Sequence, residues 1–331
     1  MKKINQFIMI FIHLFFKFLP FGKKTNIIFK AFDDSSEGKY EKVIFDEMYK
    51  RYSKKYKFYW IGEKKGNNLC ADVKFIKGDT LKAAWVVSRA KYFISGTFSK
   101  NPFLSKKTKV FYLNHGYSVK IMGIDWVNSG KGIKKMARKI AHKNQVKQID
   151  ICFAHDEYDK KSYERIFAHK GDKKTEFLVN GFPISNKYSK GEDLLFLPSW
   201  HEKQEVKFPE VKTKNKFVSF HPRTKNKVAP EGWTIVNFEE RKKLKLKYVL
   251  SDNSAAPLEY IKSGIQAYWI KGDYDRDFCR EFNKKYPELL IDIKNFEPLS
   301  EGNYKKVVSS ILKTPDNKES IQITVDAMNI Q

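Results

Sequence analysis

Two histidines stand where an imidazole can act on a hydroxyl or a phosphate. His115 lies in Asn114-His115-Gly116, straight after the apolar run of residues 110–113, and the glycine leaves backbone room beside the ring. An imidazole exchanges protons near neutral pH, so this placement suits a general base. His221 opens His221-Pro222-Arg223 after FVSF. There the proline fixes a turn, and the flanking imidazole and guanidinium suit a grip on phosphate oxygens. A third group is YVLSDNSAAPLEY, residues 248–260, whose apolar run stops at Ser251 and Asp252. Ser254 precedes a predicted helix from about residue 256, and hydroxyls with open N–H groups at a helix start form a phosphate cradle. Lys120, five residues after His115, and Asn114 are candidates for acceptor or phosphate contact.

Each candidate also has a plainer reading. A strand-end histidine can be satisfied by backbone, a serine can simply cap a helix, and one lysine among 56 carries little information. His155 follows the run ICFA and is placed to face a cleft, whereas His142, His169 and His201 look like helix-surface or loop residues. Walker, zinc-protease, nucleophile-elbow and dinucleotide glycine motifs are missing. No carboxylate cluster points to a tightly held metal, so neither an essential metal nor a cofactor is expected.

Strand ends need strands, and the pattern supplies them. Short apolar runs at 26–32, 57–63, 72–78, 91–96, 109–116, 151–158 and 176–183 alternate with helical spacing at 39–56, 80–90 and 132–144. Residues 184–193 are polar and read as a linker. Alternation then restarts at 193–200, 215–223, 233–238, 247–264 and 266–272. Strands alternating with helices imply parallel sheets with crossovers. The predicted fold is α/β, with two Rossmann-like domains facing a cleft, residues 25–187 on the acceptor side and 188–331 on the nucleotide side. The tail from about 315 is predicted to return as a short helix or to fray. In such sheets ligands bind beyond the carboxyl ends of the strands, where these polar groups fall.

Residues 1–24 stand apart. FIMIFIHLFF at 7–16 is flanked by lysines 2, 3, 17, 23 and 24, with no acid in the first thirty residues. A spanning helix needs about 20 apolar residues, so this run reads as a helix lying in a membrane interface, its lysines on anionic headgroups. The whole chain carries a formal charge of +26 over 331 residues. Such a field attracts polyanions, but only eight of the basic residues are arginines. The lysines are scattered through both halves and no binding motif accompanies them, which excludes nucleic acid as a partner. Cys70, Cys152 and Cys279 are isolated, which fits a reducing compartment.

Taken in order, these segments resemble the CDP-glycerol glycerophosphotransferase family of teichoic-acid and related capsule enzymes. LNHGYSVK is similar to the family's W-H-G-T-P-L-K strand end, and SRAKYFISG to its A-x-A-K-Y-W-I segment. FAHDEYDKKSYERIFAH with FLVNGFPISN, LLFLPSWHEK, FVSFHPR and LSDNSAAPLEY resemble the following segments. The resemblance spans about residues 25 to 270. It implies a GT-B-like architecture whose cleft binds a CDP-alcohol donor. It assigns His115 the role of base and makes His221 a second essential histidine. Arg223, Ser251, Asp252 and Ser254 become donor-phosphate residues. Asn114 stands for the family's tryptophan, Tyr117-Ser118 for Thr-Pro, and Ala255 breaks its second serine pair.

The implied activity is transfer of glycerol phosphate, or a similar polyol phosphate, to a hydroxyl of a lipid-linked or saccharide acceptor, releasing CMP. The implied place is the cytoplasmic face of a bacterial membrane. The other reading is a GT-B glycosyltransferase using a CMP-activated sugar of the sialyl or Kdo type.

Overall fold

The continuous apolar runs become strands of two parallel sheets, each covered on both faces, as parallel strands require. The computed structural model describes residues 25–35, 39–63, 72–78, 80–97, 104–113, 123–167, 175–181, 188–199, 206–221, 224–252, 254–271, 285–313, 315 and 317–330. The N-terminal segment 1–24 lies outside them. Among the described residues, no helix is long and apolar enough to cross a membrane. The chain divides into two compact units.

The first unit runs through β1 (Asn26–Ser35), α1 (Lys39–Tyr52), β2 (Lys57–Glu63), β3 (Lys74–Ile76), α2 (Leu81–Ser88) and β4 (Ala90–Ser95). It continues with β5 (Lys109–Tyr112), α3 (Gly123–Asn128), α4 (Gly132–Val146), β6 (Ile151–Ala154), α5 (Glu157–Ile166) and β7 (Glu176–Val179). Among the described residues, seven strands pair in the order β3-β2-β1-β4-β5-β6-β7. β1 is central, parallel to β2 through Ile27↔Phe58 and to β4 through Ile27↔Tyr92. Ile27, Ile28 and Phe29 are wholly buried. Phe29 stacks on Trp60 at 5.8 Å, and Phe45 of α1 meets both rings edge-on. Helix starts follow local chemistry: the Thr80 hydroxyl accepts from Ala83 N–H at 3.1 Å, and Asp156 accepts from Asp159 N–H at 2.7 Å.

The second unit holds β8 (Ser189–Leu197), β9 (Lys216–Val218), β10 (Trp233–Ile235), α6 (Phe238–Arg241), β11 (Lys245–Ser251), α7 (Pro257–Lys262) and β12 (Gln266–Lys271). A single 3-10 turn (Pro287–Leu289), β13 (Leu290–Asp292), α8 (Glu301–Val307) and α9 (Ser309–Leu312) complete it. Its described strands pair in the order β10-β9-β8-β11-β12-β13, the doubly wound nucleotide-binding arrangement. The core is built on Leu194, Leu195, Phe196, Val249 and Leu250, all buried.

Two expectations change here. Residues 184–193 read as a linker, but β8 already begins at Ser189 and pairs with Lys245. Its polar start is tolerated because the Asp193 carboxylate accepts Lys245 N–H and Asn215 Nδ2–H, each at 2.9 Å. The tail does form a helix, α10 (Asn317–Ala327), but residues 315–330 belong to the first unit, not to a 188–331 domain. Val325 and Met328 are fully buried in the first unit's core. Asn180 after β7 hydrogen-bonds the Thr324 hydroxyl at 2.7 Å. Gly181, at φ +75°, leaves no room for a β-carbon beside Pro315 and Ser320.

Arg51 of α1 ties the outer face of α10, donating to Asp326 at 2.8 Å and to Gln322 at 2.5 Å. The Gln322 amide and Arg51 hold the Asp326 carboxyl below its ordinary value. That contribution is therefore complete above about pH 4 and is lost as pH falls through the lowered value. Amide hydrogen exchange along α10 is expected to speed up at pH 3 relative to pH 6. In Asp326→Asn this acid-dependent increment should disappear. The gain is small because the pair is solvent-exposed.

Candidate functional site

The strand order of the second sheet reverses between β8 and β11, and a crevice opens at such a switch point. The residues closing these two strands are bonded to each other. Ser251 Oγ donates to the Leu197 carbonyl at 2.6 Å, and Asp252 Oδ1 accepts from Ser199 N–H at 2.8 Å. Both side chains are buried. Ser251 and Asp252 thus brace the two strand ends and fix the backbone that follows them.

Ser254 sits next to this brace and is half-buried. Its Oγ accepts from Ala256 N–H at 3.2 Å, and its carbonyl accepts from Trp269 Nε1–H at 2.8 Å. The loop is clamped by an indole from the neighbouring strand, while the Ser254 hydroxyl keeps its own hydrogen to donate. Helix α7 follows with Pro257 in its first turn and no side-chain cap. Behind it, Tyr188 and Tyr260 stack at 4.1 Å. Burial pushes the Tyr260 phenol up to about 12, so this wall stays uncharged at neutral pH.

His221 joins the same edge. β9 lies beside β8; Ser219 N–H donates to Phe196 O at 3.0 Å, and the chain then reaches half-buried His221. The His221 carbonyl accepts from Thr224 N–H at 2.9 Å, closing the predicted turn. One unit therefore carries His221, Ser251, Asp252 and Ser254 at the carboxyl edge of its sheet. Arg223 lies outside the described residues, as do Asn114, His115 and Lys120.

The first sheet reverses between β1 and β4, where Gly96 N–H donates to Lys30 O at 3.1 Å. Its carboxyl edge holds a buried polar group around His155. The His155 Nδ1 is 2.8 Å from Asp159 Oδ2, which also accepts His155 N–H at 3.0 Å. His155 is 2% exposed and lies against the Tyr40 ring, so it is an internal residue and does not face a cleft. His142 is corrected too: expected on a helix surface, it is 1% exposed. Cys152, also in this core, is a free thiol whose titration burial pushes well up. Among the described residues, no group of three or more His, Cys, Asp or Glu is placed to hold a metal.

Ser199 is the residue that sequence reasoning missed. It contributes a backbone N–H, which no side-chain pattern announces. The clue was its position directly after the unbroken apolar run of β8.

The fold is shared with known structures. A variant of the wall teichoic acid polymerase TagF soaked with CDPG superposes with a TM-score of 0.70, at 14% identity, over 93% of this chain and 88% of that one. A second structure of the wall teichoic acid polymerase TagF gives 0.70 at 15% identity, over 92% and 88%. The UDP-GlcNAc 2-epimerase of Methanocaldococcus jannaschii gives 0.51 at 11% identity, over 92% and 100%. At these identities the likeness establishes the fold, two parallel α/β sheets of GT-B-like kind. Curated protein sequences give no match. The family model described as CDP-glycerol:poly(glycerophosphate) glycerophosphotransferase matches residues 11–194. That is more than half of the chain, and the protein belongs to this CDP-glycerol glycerophosphotransferase family.

Proposed function

We propose that the protein works at the cytoplasmic face of a bacterial membrane in teichoic acid synthesis. There it moves glycerol phosphate from CDP-glycerol to a hydroxyl of a lipid-linked or saccharide acceptor. The observation that carries this reading is the family match over residues 11–194. It favours phosphoalkyl transfer over the CMP-sugar glycosyltransferase reading.

In the proposed reaction His115 takes the proton of the acceptor hydroxyl as its oxygen attacks the phosphorus that bears glycerol. The new O–P bond forms as the pyrophosphate P–O bond breaks, and CMP leaves with the bonding electron pair. Charge then gathers on the bridging oxygen. His221 and Arg223 are assigned to that charge, with the Ser254 hydroxyl donating to a donor phosphate oxygen. Lys120 and Asn114 are assigned to the acceptor or its phosphate. Ser251 and Asp252 act one step back, by holding the strand ends in register. Phosphoryl transfer asks mainly for positioning and charge stabilisation, and this set supplies both. The basic, apolar segment 1–24 is assigned to the membrane surface.

A donor panel tests the proposal. Purified protein is incubated with CDP-glycerol, CDP-ribitol or a CMP-sugar over a lipid-linked acceptor. CMP release is expected from CDP-glycerol, with its phosphorus retained on the acceptor. Sugar transfer from the CMP-sugar, with no phosphorus transferred, would overturn it.

A further inference from the structure

Arg241 closes α6 with its guanidinium over the Phe238 ring, 4.7 Å from the ring centre. Its Nε is buried without a hydrogen-bond partner, and among the described residues no carboxylate pairs with it. The Tyr260 hydroxyl, on a residue 1% exposed, also lacks a partner. Burial raises the Tyr260 titration, and the nearby Arg241 guanidinium and Tyr188 phenol pull it back. Glu259 acts on both phenols from α7 but is itself buried. A partly desolvated guanidinium with no acceptor is a standing cost to the fold, and a bound anion is what removes it.

This group sits at the amino edge of the second sheet, beside a row of lysines. Tyr188 immediately precedes β8, whose first residue pairs with Lys245 of β11. Lys190 follows, its ammonium beside Gly264 just past the end of α7. Lys243 lies in the turn from α6 into β11, and Lys214 leads into β9. The Asp193 carboxylate accepts from both Asn215 and Lys245 N–H, which holds the amino ends of β9, β8 and β11 together. Lys190, Lys214, Lys243 and Lys245 are exposed, and among the described residues none of them makes an ion pair. The acids nearby are taken: Glu192 pairs with Lys247 and Glu301 with Lys305, each at 2.9 Å. Adjacent strands lie about 4.8 Å apart, so three strand ends spread these cations over about 10 Å.

We propose that this edge binds a linear phosphodiester polyanion, poly(glycerol phosphate), with Arg241 forking one phosphate and the lysines taking its neighbours. The inference rests on the reaction proposed above and adds a second place where the polymer is held. A single phosphate would leave most of the row unused. A nucleic acid needs open rings for its bases, but Arg241 and Lys242 cover Phe238, and Lys216 covers Trp233. A lipid surface needs exposed apolar side chains, and residues 189–192, 212–216 and 241–247 offer no large one. Along β11 this edge is about 20 Å from Ser251. A polymer that spans that distance engages both edges of the sheet, while a short acceptor reaches only one.

The test uses the full chain and fluorescence anisotropy with labelled poly(glycerol phosphate), against a single-stranded oligonucleotide of equal charge. The parent is expected to bind the polymer more tightly than the oligonucleotide, and more weakly as salt rises. The triple variant Lys190→Gln, Lys243→Gln, Lys245→Gln should bind the polymer at least about tenfold more weakly, with its salt slope reduced by about two. Arg241→Gln should lose about tenfold as well, with Arg241→Lys in between. The thermal midpoint of Arg241→Gln should hold or rise, because an unpaired guanidinium has been removed. An arginine that served only the fold would lower it. CMP release with a short soluble acceptor should be unchanged in every variant, while KM for a long polymer rises at constant kcat. Equal polymer binding by the parent and the triple variant would overturn the proposal, as would equal or tighter binding of the oligonucleotide by the parent. Polymer binding lost in the variants, with no turnover of CDP-glycerol by the parent, supports the surface and refutes the assigned reaction. Turnover of CDP-glycerol with polymer affinity unchanged in the variants does the reverse.

Discussion

Alanine at position 115 is expected to lower CMP release from CDP-glycerol by about 10²–10⁴-fold, the usual worth of a positioned general base. Circular dichroism and the thermal midpoint should match the parent. The reason is chemical: an acceptor hydroxyl is a poor nucleophile until its proton has somewhere to go, and the candidate set contains no other group assigned to take it. The pH profile separates this role from a structural one. The parent's kcat/KM should rise with pH across the range in which an imidazole gives up its proton, because the base works only when deprotonated. In His115→Ala that limb should vanish together with the rate. Full activity in the variant would remove His115 from the mechanism.

Asp252→Ala should be nearly as damaging for a different reason. The carboxylate is buried and accepts from Ser199 N–H at 2.8 Å, across the switch point of the second sheet. Removing it strands a buried N–H, at a cost of about 1–3 kcal/mol, which thermal or urea unfolding will register. The strand ends then lose their register, and a displacement of about 1 Å in a positioned site costs on the order of 10² in rate. Asp252→Asn is the informative control. It keeps an acceptor oxygen of the same shape, so it should recover most of the stability and much of kcat/KM. A residue that touched the donor phosphates directly would behave otherwise, because there a neutral amide would relieve repulsion between two anions. Stability falling in Asp252→Ala with kcat/KM untouched would show the brace to be structural only.

Why was so much of the fold legible? Strands buried on both faces advertise themselves: residues 27–29 and 194–197 are unbroken apolar runs, and they became parts of β1 and β8. Helical spacing located 80–90, where the structure shows the Thr80 hydroxyl capping the helix start. Short elements were not legible, since the four-residue helices α6 and α9 fall below the window in which periodicity can be recognised. β13 is likewise only three residues long. The destination of α10 was hidden for another reason. An amphipathic helix records that it needs a core, not which core.

At the candidate site, polarity at strand ends singled out Ser251, Asp252 and Ser254, but it does not tell which atoms they bond. Ser251 and Asp252 turn inward to Leu197 and Ser199, while Ser254 keeps a hydrogen to donate. His155 shows the same limit, since Asp159 one helical turn later claims its imidazole. A histidine four residues before an aspartate at a helix start is a pairing that spacing alone can flag.

The docking of α10 has a consequence for how the chain is made. A ribosome releases the first sheet early, yet Val325 and Met328, which close its core, emerge only after the whole second unit. The first unit must therefore wait with an apolar face uncovered while its neighbour is still being synthesised. A chain that stops short of residue 317 loses the closing layer of a domain whose strands were all in place more than a hundred residues earlier.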